Sequence, residues 1–206
     1  MKNLKDFRFA CTRCGNCCTD KDILVNLTYL DIIRIRNGLK LNLIEVLNIL
    51  GFYIFEKKIT REDKKRLVIE PIETEKGLAF VALHKNNLGE CYFYNSAKKK
   101  CMIYNLRPMF CRTFPFSFGL SHEKNKENRN KLKMIYAEKG KQYCPGISEE
   151  APIIDYDKWI KLGKQTIEEL EKNYKIVKNW NDMVKKKKIA ATVKKFLLAI
   201  FQLDNS

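Results

Sequence analysis

The spacing of apolar positions changes several times along the chain, and each change predicts an element. Residues 23–27 are a short apolar run, read as a strand or a buried link. Thr28 then opens a helix with a Thr-x-x-Asp capping pattern. Leu30 and Ile33, with Ile32 and Ile35 less regularly placed, give it a core face, Arg34 and Arg36 stay wet, and Asn37-Gly38 is its expected stop. A second helix starts near Asn42, with Glu45 three residues on. Leu43, Ile44, Val46, Leu47 and Leu50 make it mostly buried, and Gly51 is its expected end.

Beyond Tyr53 the pattern turns to strand. Residues 66–70 and 78–83 are rich in strand formers and flank the turn-like Glu75-Lys76-Gly77, which predicts a β-hairpin. Residues 91–94 and 100–104 flank a polar connection and predict a second hairpin with one cysteine on each arm. Arg107-Pro108 then breaks the strand. Residues 121–133 are polar and charged, as a loop would be. Past Gly146, the positions Tyr156, Ile160, Gly163, Ile167, Leu170, Tyr174 and Val177 step by four and three, the spacing of a helix packed along a seam, with Asp155 or Asp157 as N-cap. A last helix over 189–203 follows four lysines and groups Val193, Phe196, Leu197, Ile200 and Phe201. The fold class this describes is α+β. A small cysteine-rich domain of short β-hairpins and supporting helices is expected over 1–147, and a helical pair over 148–206.

The cysteines change this picture most. Four lie in eight residues, Cys11, Cys14, Cys17 and Cys18, and four more are strung out downstream at Cys91, Cys101, Cys111 and Cys144. Runs of Cys-x-x-Cys suit soft metals, because two intervening residues let a tight turn aim successive sulfurs at one point. Gly15 supplies the backbone freedom such a turn needs. Neighbouring side chains of an extended backbone point to opposite sides. The doublet Cys17-Cys18 is therefore expected to face two different centres, or to contribute one ligand. Arg107 and Arg112 bracket Cys111, where a guanidinium would offset thiolate charge; the bland alternative is pairing with ordinary carboxylates. Phe114-Pro115-Phe116 would wall the site. His84 and His122 sit at no ligand spacing from a cysteine.

These same stretches resemble a known family. Phe9-Ala10-Cys11 through Cys18, Leu27 to Ile35, Gly89-Glu90-Cys91, Lys100 to Pro108, Cys111 to Phe116 and Cys144-Pro145-Gly146 follow, in order, the YkgJ-like cysteine-cluster family with its CxxCxxCC signature. The resemblance covers roughly residues 7 to 147 and includes all eight cysteines. It implies zinc or iron–sulfur binding with no defined reaction. A distant resemblance to flagellin lysine-N-methylase, a longer protein, would add methyl transfer and S-adenosylmethionine.

Composition narrows the chemistry further. The 206 residues are 45% hydrophobic, enough for a core, with no 18-residue apolar run and no signal-peptide pattern at the start. A cytoplasmic location is the expectation, and there eight cysteines favour metal over disulfides. No phosphate-binding glycine loop appears, and the first gap of the cysteine run is too short for the radical S-adenosylmethionine spacing. The formal charge of +16 falls to about +12 once eight thiolates and their metals are counted. A lysine-rich solvated surface explains it, and an acidic protein or nucleic acid is the sharper partner reading. Cysteine-only sites suit both zinc and iron–sulfur. The wide spacing of the second set leans toward iron–sulfur. Three classes stay open: a metal-binding module, a redox or methyl-transfer enzyme, and a nucleic-acid binder with a structural metal.

Overall fold

The computed structural model describes residues 6–55, 60, 62–63, 67–120 and 132–204. A single turn of helix, α1 (Asn16–Thr19), carries Cys17 and Cys18. It leads through residues 25–27 into α2 (Tyr29–Leu39), α3 (Leu43–Ile49) and β1 (Leu50–Ile54). The capping patterns read from the sequence are both made. Thr28 and Asp31 form a capping box on α2, and Asn42 and Glu45 form one on α3. The helix ends differ from expectation. α2 runs on through Gly38 to Leu39, and Lys40 takes the left-handed C-cap at φ 55°. α3 stops at Ile49, which leaves Gly51 inside β1.

β1 pairs antiparallel with β3 (Gly77–Leu83), which also pairs with β2 (Ile72–Thr74), giving a three-stranded sheet of order β1-β3-β2. The expected first arm at 66–70 is thus replaced by Ile72–Thr74. Its described residues 67–70 make no strand, and Pro71, which has no N–H, falls immediately before the ladder. Residues 25–27 pair with β3 through Leu27 N to Val81 O (2.9 Å) and Leu83 N to Val25 O (3.0 Å), an isolated antiparallel bridge of Asn26 to Ala82, so the run is strand-like over a single bridge.

The cysteine-bearing hairpin is shorter than expected. β4 (Tyr94–Asn95) and β5 (Lys100–Cys101) share two residue pairs, and Cys91 lies ahead of β4 in an isolated bridge to Lys85. A 3-10 turn (Tyr104–Leu106) and Pro108 lead into α4 (Met109–Thr113), which carries Cys111. A further hairpin, β6 (Phe116–Leu120) with β7 (Leu132–Tyr136), has no counterpart in the sequence reading. Most of the expected 121–133 loop lies outside the described residues, and its last two positions belong to β7. α5 (Glu138–Tyr143) ends at Cys144.

α6 (Tyr156–Lys185), capped by Asp155, buries Gly163, Thr166, Asn173, Val177 and Trp180. Gly163 and Val177 of the expected seam are buried, but between them the seam turns by one residue, to Thr166 and Asn173. Asn173 is buried and its neighbour Tyr174 is 48% exposed. Tertiary hydrogen bonds explain the polar seam. Asn173 Oδ1 accepts from Tyr29 N, the first N–H of α2, at 2.9 Å. Trp180 Nε1 donates to Glu73 O, and Asn181 brackets the edge of β2 from both sides. α7 (Val193–Gln202) starts four residues later than the apolar spacing suggested, at the Thr192 cap. Its Phe196, Leu197, Ile200 and Phe201 join Val177 and Trp180 of α6 in one core with Ile32, Ile35, Val46, Ile72, Val81 and Phe93. Among the described residues no helix is long and apolar enough to cross a membrane.

Leu197 is fully buried in this shared core. Leu197→Ala should therefore lower stability by about 2–5 kcal/mol, read as a shift in the urea unfolding midpoint. An unchanged midpoint would show that α7 does not contribute to the core.

Candidate metal centre

All eight cysteines are free thiols, and together they line two adjoining cavities. The larger, about 440 Å³, is lined by Cys11, Cys17, Cys18, Cys91, Cys101 and Cys111. The smaller, about 50 Å³, is lined by Cys11, Cys14, Cys17, Cys111 and Cys144.

Backbone hydrogen bonds account for this convergence. The N-terminal segment lies against the stretch before α6: Ile154 N donates to Phe7 O (2.9 Å), Phe9 N to Pro152 O (3.1 Å) and Ala10 N to Gly146 O (3.0 Å). The approach is close enough that a Cβ on Gly146 would collide with the Ala10 backbone. The Cys11 loop is thereby fixed beside Cys144, and Asn16 adds a side-chain bond to Tyr143 O at 3.1 Å. Cys18 is stitched to the other set directly, because Cys91 N donates to Cys18 O at 2.8 Å. Cys101 stands opposite Tyr94 across β4–β5. Gly15 sits at φ 85°, and a Cβ there would strike the Tyr94 ring, so both its conformation and its neighbour require glycine.

The doublet corrects one premise of the sequence reading. Cys17 and Cys18 lie in the helical turn α1, not in extended chain, and their Sγ atoms are 4.0 Å apart. The hydrogen bond between them polarises the pair. Accepting it, helped by its own turn and by Arg107, brings the Cys17 thiol down to about 7, while donating it, burial and the charges of Cys17, Cys91 and Cys111 push Cys18 upward. Burial also raises Cys91, Cys101, Cys111 and Cys144 above the ordinary thiol range.

Cations rim the larger cavity. Arg13 and Arg107 lie over the Tyr104 ring at 4.6 and 3.8 Å, Lys100 joins them, and no Asp or Glu lines either cavity. Arg107 borders both cavities. Arg112 borders neither: it pairs with Glu169 of α6 at 3.2 Å, the bland alternative weighed above. Lys85 donates through Nζ to the Asp20 carbonyl, and its charge acts on Cys91. Phe114 walls the smaller cavity, whereas Phe116 packs with Phe7, Phe9, Tyr136 and Trp159. His84 is exposed and lines neither cavity, and His122 lies outside the described residues.

Sequence reasoning missed how Cys111 is held. Pro108 gives α4 no side-chain cap, and the cap comes instead from α2. Buried Asp31 accepts from Met109 N at 2.9 Å with the same oxygen that meets Arg34 at 2.5 Å, while its other oxygen accepts from Thr28 N and Oγ1. Arg34 continues to Glu169 at 3.1 Å, and Glu169 to Arg112. Burial pushes the Asp31 carboxyl upward against the pull of Arg34 and the two N–H donors. The only signal in the sequence was Asp31 as a capping residue, which hid its second partner.

The donor set fits the chemistry of a soft metal: eight thiols, nearby cations and an apolar backing. Among the described residues, however, no three Cys, His, Asp or Glu side chains stand close enough together to hold one ion. The thiols line the two cavities instead. The family model described as "CxxCxxCC: Putative zinc- or iron-chelating domain" matches residues 10–145, a span containing every cysteine. No solved structure matches the chain.

Two outcomes follow from this geometry. Asp31→Ala leaves the buried Met109 and Thr28 N–H groups without an acceptor and should cost about 1–3 kcal/mol together with part of the bound metal. Full metal content and an unchanged midpoint would free Cys111 from Asp31. The second concerns pH. Thiols whose folded pKa is raised stabilise the fold below the unfolded value of about 8.5 and lose that contribution as pH rises through the folded one. The metal-free reduced protein should therefore melt lower as pH passes about 8.5 because Cys91, Cys101, Cys111 and Cys144 ionise. The metal-loaded protein, whose thiols are already deprotonated, should not show this fall.

Proposed function

The chain belongs to the CxxCxxCC family of zinc- or iron-chelating domains, and from that premise we propose that it is an iron–sulfur protein whose centre occupies the larger cavity. The observation that carries this is the size of that cavity, about 440 Å³, together with the six thiols that line it. A tetrathiolate zinc ion needs all four sulfurs at about 2.3 Å, hence about 3.8 Å from one another. A polynuclear iron–sulfur core holds its thiolates farther apart and fills the space between them. Cys18, Cys91, Cys101 and Cys111, all packed against the hydrophobic core, are the residues to hold it. When bound, such a centre supplies one-electron chemistry or a store of iron.

The surrounding residues suit that cargo. Four ionised thiols carry negative charge, and Arg107, whose charge acts on both Cys17 and Cys101, lowers the cost of that ionisation. Val25, Leu83, Phe93 and Ile103 line the inner wall and limit the water that reaches the sulfurs. Arg13 and Lys100 stand on the rim and would favour an approaching anionic group.

Anaerobic purification tests the reading. The protein should be coloured and contain iron and acid-labile sulfide, both lost in Cys101→Ser. A colourless protein holding zinc at whole-number stoichiometry would overturn the iron–sulfur reading in favour of zinc.

A further inference from the structure

The lining of the larger cavity is sorted by depth. Leu83, Cys91 and Phe93 are buried, whereas Arg13, Lys100 and Met102 are exposed, so an apolar interior opens through a cationic mouth. Arg13 and Arg107 share one ring there, with guanidinium carbons 4.6 and 3.8 Å from the centroid of Tyr104. Like charges gathered on one ring repel, and no carboxylate in the lining offsets them. Arg34 and Arg112, by contrast, both reach Glu169. Neither Arg13 nor Lys100 forms an ion pair with a described residue. Backbone geometry points the same way. Arg13 (φ 56°) and Lys99 (φ 47°), the residue before Lys100, both hold left-handed conformations that a Cβ disfavours. Such positions persist where the surroundings fix them, and they cluster at ligand clamps.

We infer that Arg13, Lys100 and Arg107 form a binding site, at the mouth of the larger cavity, for a small organic molecule carrying a dianionic group, a phosphate ester or a dicarboxylate. A guanidinium fork meets two oxygens of such a group at once, and Lys100 adds a mobile point charge. Met102, 56% exposed beside them, offers apolar surface to the rest of the molecule. Shape sets the size of the guest. The cavity of about 440 Å³ lies within the range of small-molecule sites, about 300–1,000 Å³. A concave mouth lined by one sign of charge also focuses its field on a compact anion. The flat face of an acidic partner protein would be met instead by charges spread over a wider surface. The inference rests on the proposed function only in leaving the inner end of the cavity to the centre. With zinc held there, the mouth would bind the same anion.

The test is calorimetric titration of the full chain, purified anaerobically with its metal in place, with phenyl phosphate, succinate and a hexaglutamate peptide. One small anion per chain should bind. Tighter binding of phenyl phosphate assigns a phosphate ester, and tighter binding of succinate a dicarboxylate. Arg13→Gln and Lys100→Ala should each weaken the better ligand by about tenfold or more, because a charge-assisted hydrogen bond exceeds the ~1.4 kcal/mol of one factor of ten. Arg13→Lys, which keeps the charge and loses the fork, should fall between wild type and Arg13→Gln. Lys164→Ala removes an equal charge from an exposed position on α6 and should leave the affinity unchanged. Iron, zinc and sulfide per chain, measured on the same samples, report on the centre separately from the anion. Failure of both small anions to bind wild type would overturn the site, as would binding that survives both Arg13→Gln and Lys100→Ala. Equal weakening by Lys164→Ala would reduce it to the pull of net charge. Saturable binding of hexaglutamate alone would overturn it in favour of a protein partner.

Discussion

A buried carboxylate with four donors on its two oxygens ties this molecule together. Asp31 closes the capping box of α2, accepts the first N–H of α4 and meets Arg34, which hands on to Glu169 and Arg112. Three helices far apart in sequence thus share one electrostatic network. Burying a carboxylate is costly unless its lone pairs are met by donors, and here they are. The consequence for the metal centre is direct. α4 is only five residues long, too short to be stable alone, and it begins at a proline that offers no side-chain cap. Its orientation, and with it the position of Cys111, is set by a residue 78 positions upstream.

Around this anchor the chain divides labour between packing and stitching. The inner wall of the larger cavity is ordinary hydrophobic core, continuous with the face that α6 and α7 cover. A core of this kind holds side chains to within tenths of an ångström and resists rearrangement. The outer wall is a loop tied by a few backbone hydrogen bonds to the turn after Cys144, with its cysteines reaching solvent. The two walls meet along α1, where the Cys17 and Cys18 Sγ atoms stand 4.0 Å apart. The same contact separates the two thiols in acidity, since a donor and an acceptor in one pair are pushed in opposite directions.

The metal-binding chemistry was legible in the sequence because it depends on residue type and local spacing. Four thiols in eight residues with a glycine among them can be read without a fold, and so can the two capping boxes, which are contained in four residues each. The core face of α2 and the last helix were visible for the same reason: a period of 3.6 needs only one turn of helix to declare itself. Local signals misled where a tertiary partner decided. Asn173 and Thr166 look like surface positions, yet they are buried in the α6 seam, Asn173 because it satisfies the first N–H of α2. The strand at 66–70 had the right composition, but pairing with β3 began only after Pro71. The short arms of β4 and β5 shrank to two residue pairs, and Cys91 was held by Lys85 and Cys18 instead.

What the sequence alone determined is the donor inventory, the capped helices and membership in a cysteine-cluster lineage, all properties carried by a few neighbouring residues. What only the tertiary structure decided is which thiols become neighbours. That outcome depends on hydrogen bonds across long stretches of chain: Ala10 to Gly146, Cys18 to Cys91 and Asp31 to Met109. In the bonds from Ala10 to Gly146 and from Cys91 to Cys18 the groups that pair are backbone atoms, present whatever the side chain, and the Asp31 carboxylate reads in the sequence only as a cap. The choice of Arg107 over Arg112 beside the thiols has the same origin. Two arginines within four residues of Cys111 part company once Glu169, more than fifty residues away, takes one of them. Spacing in the chain fixes which thiols are on offer; the packing of α2, α4 and α6 decides which of them become neighbours.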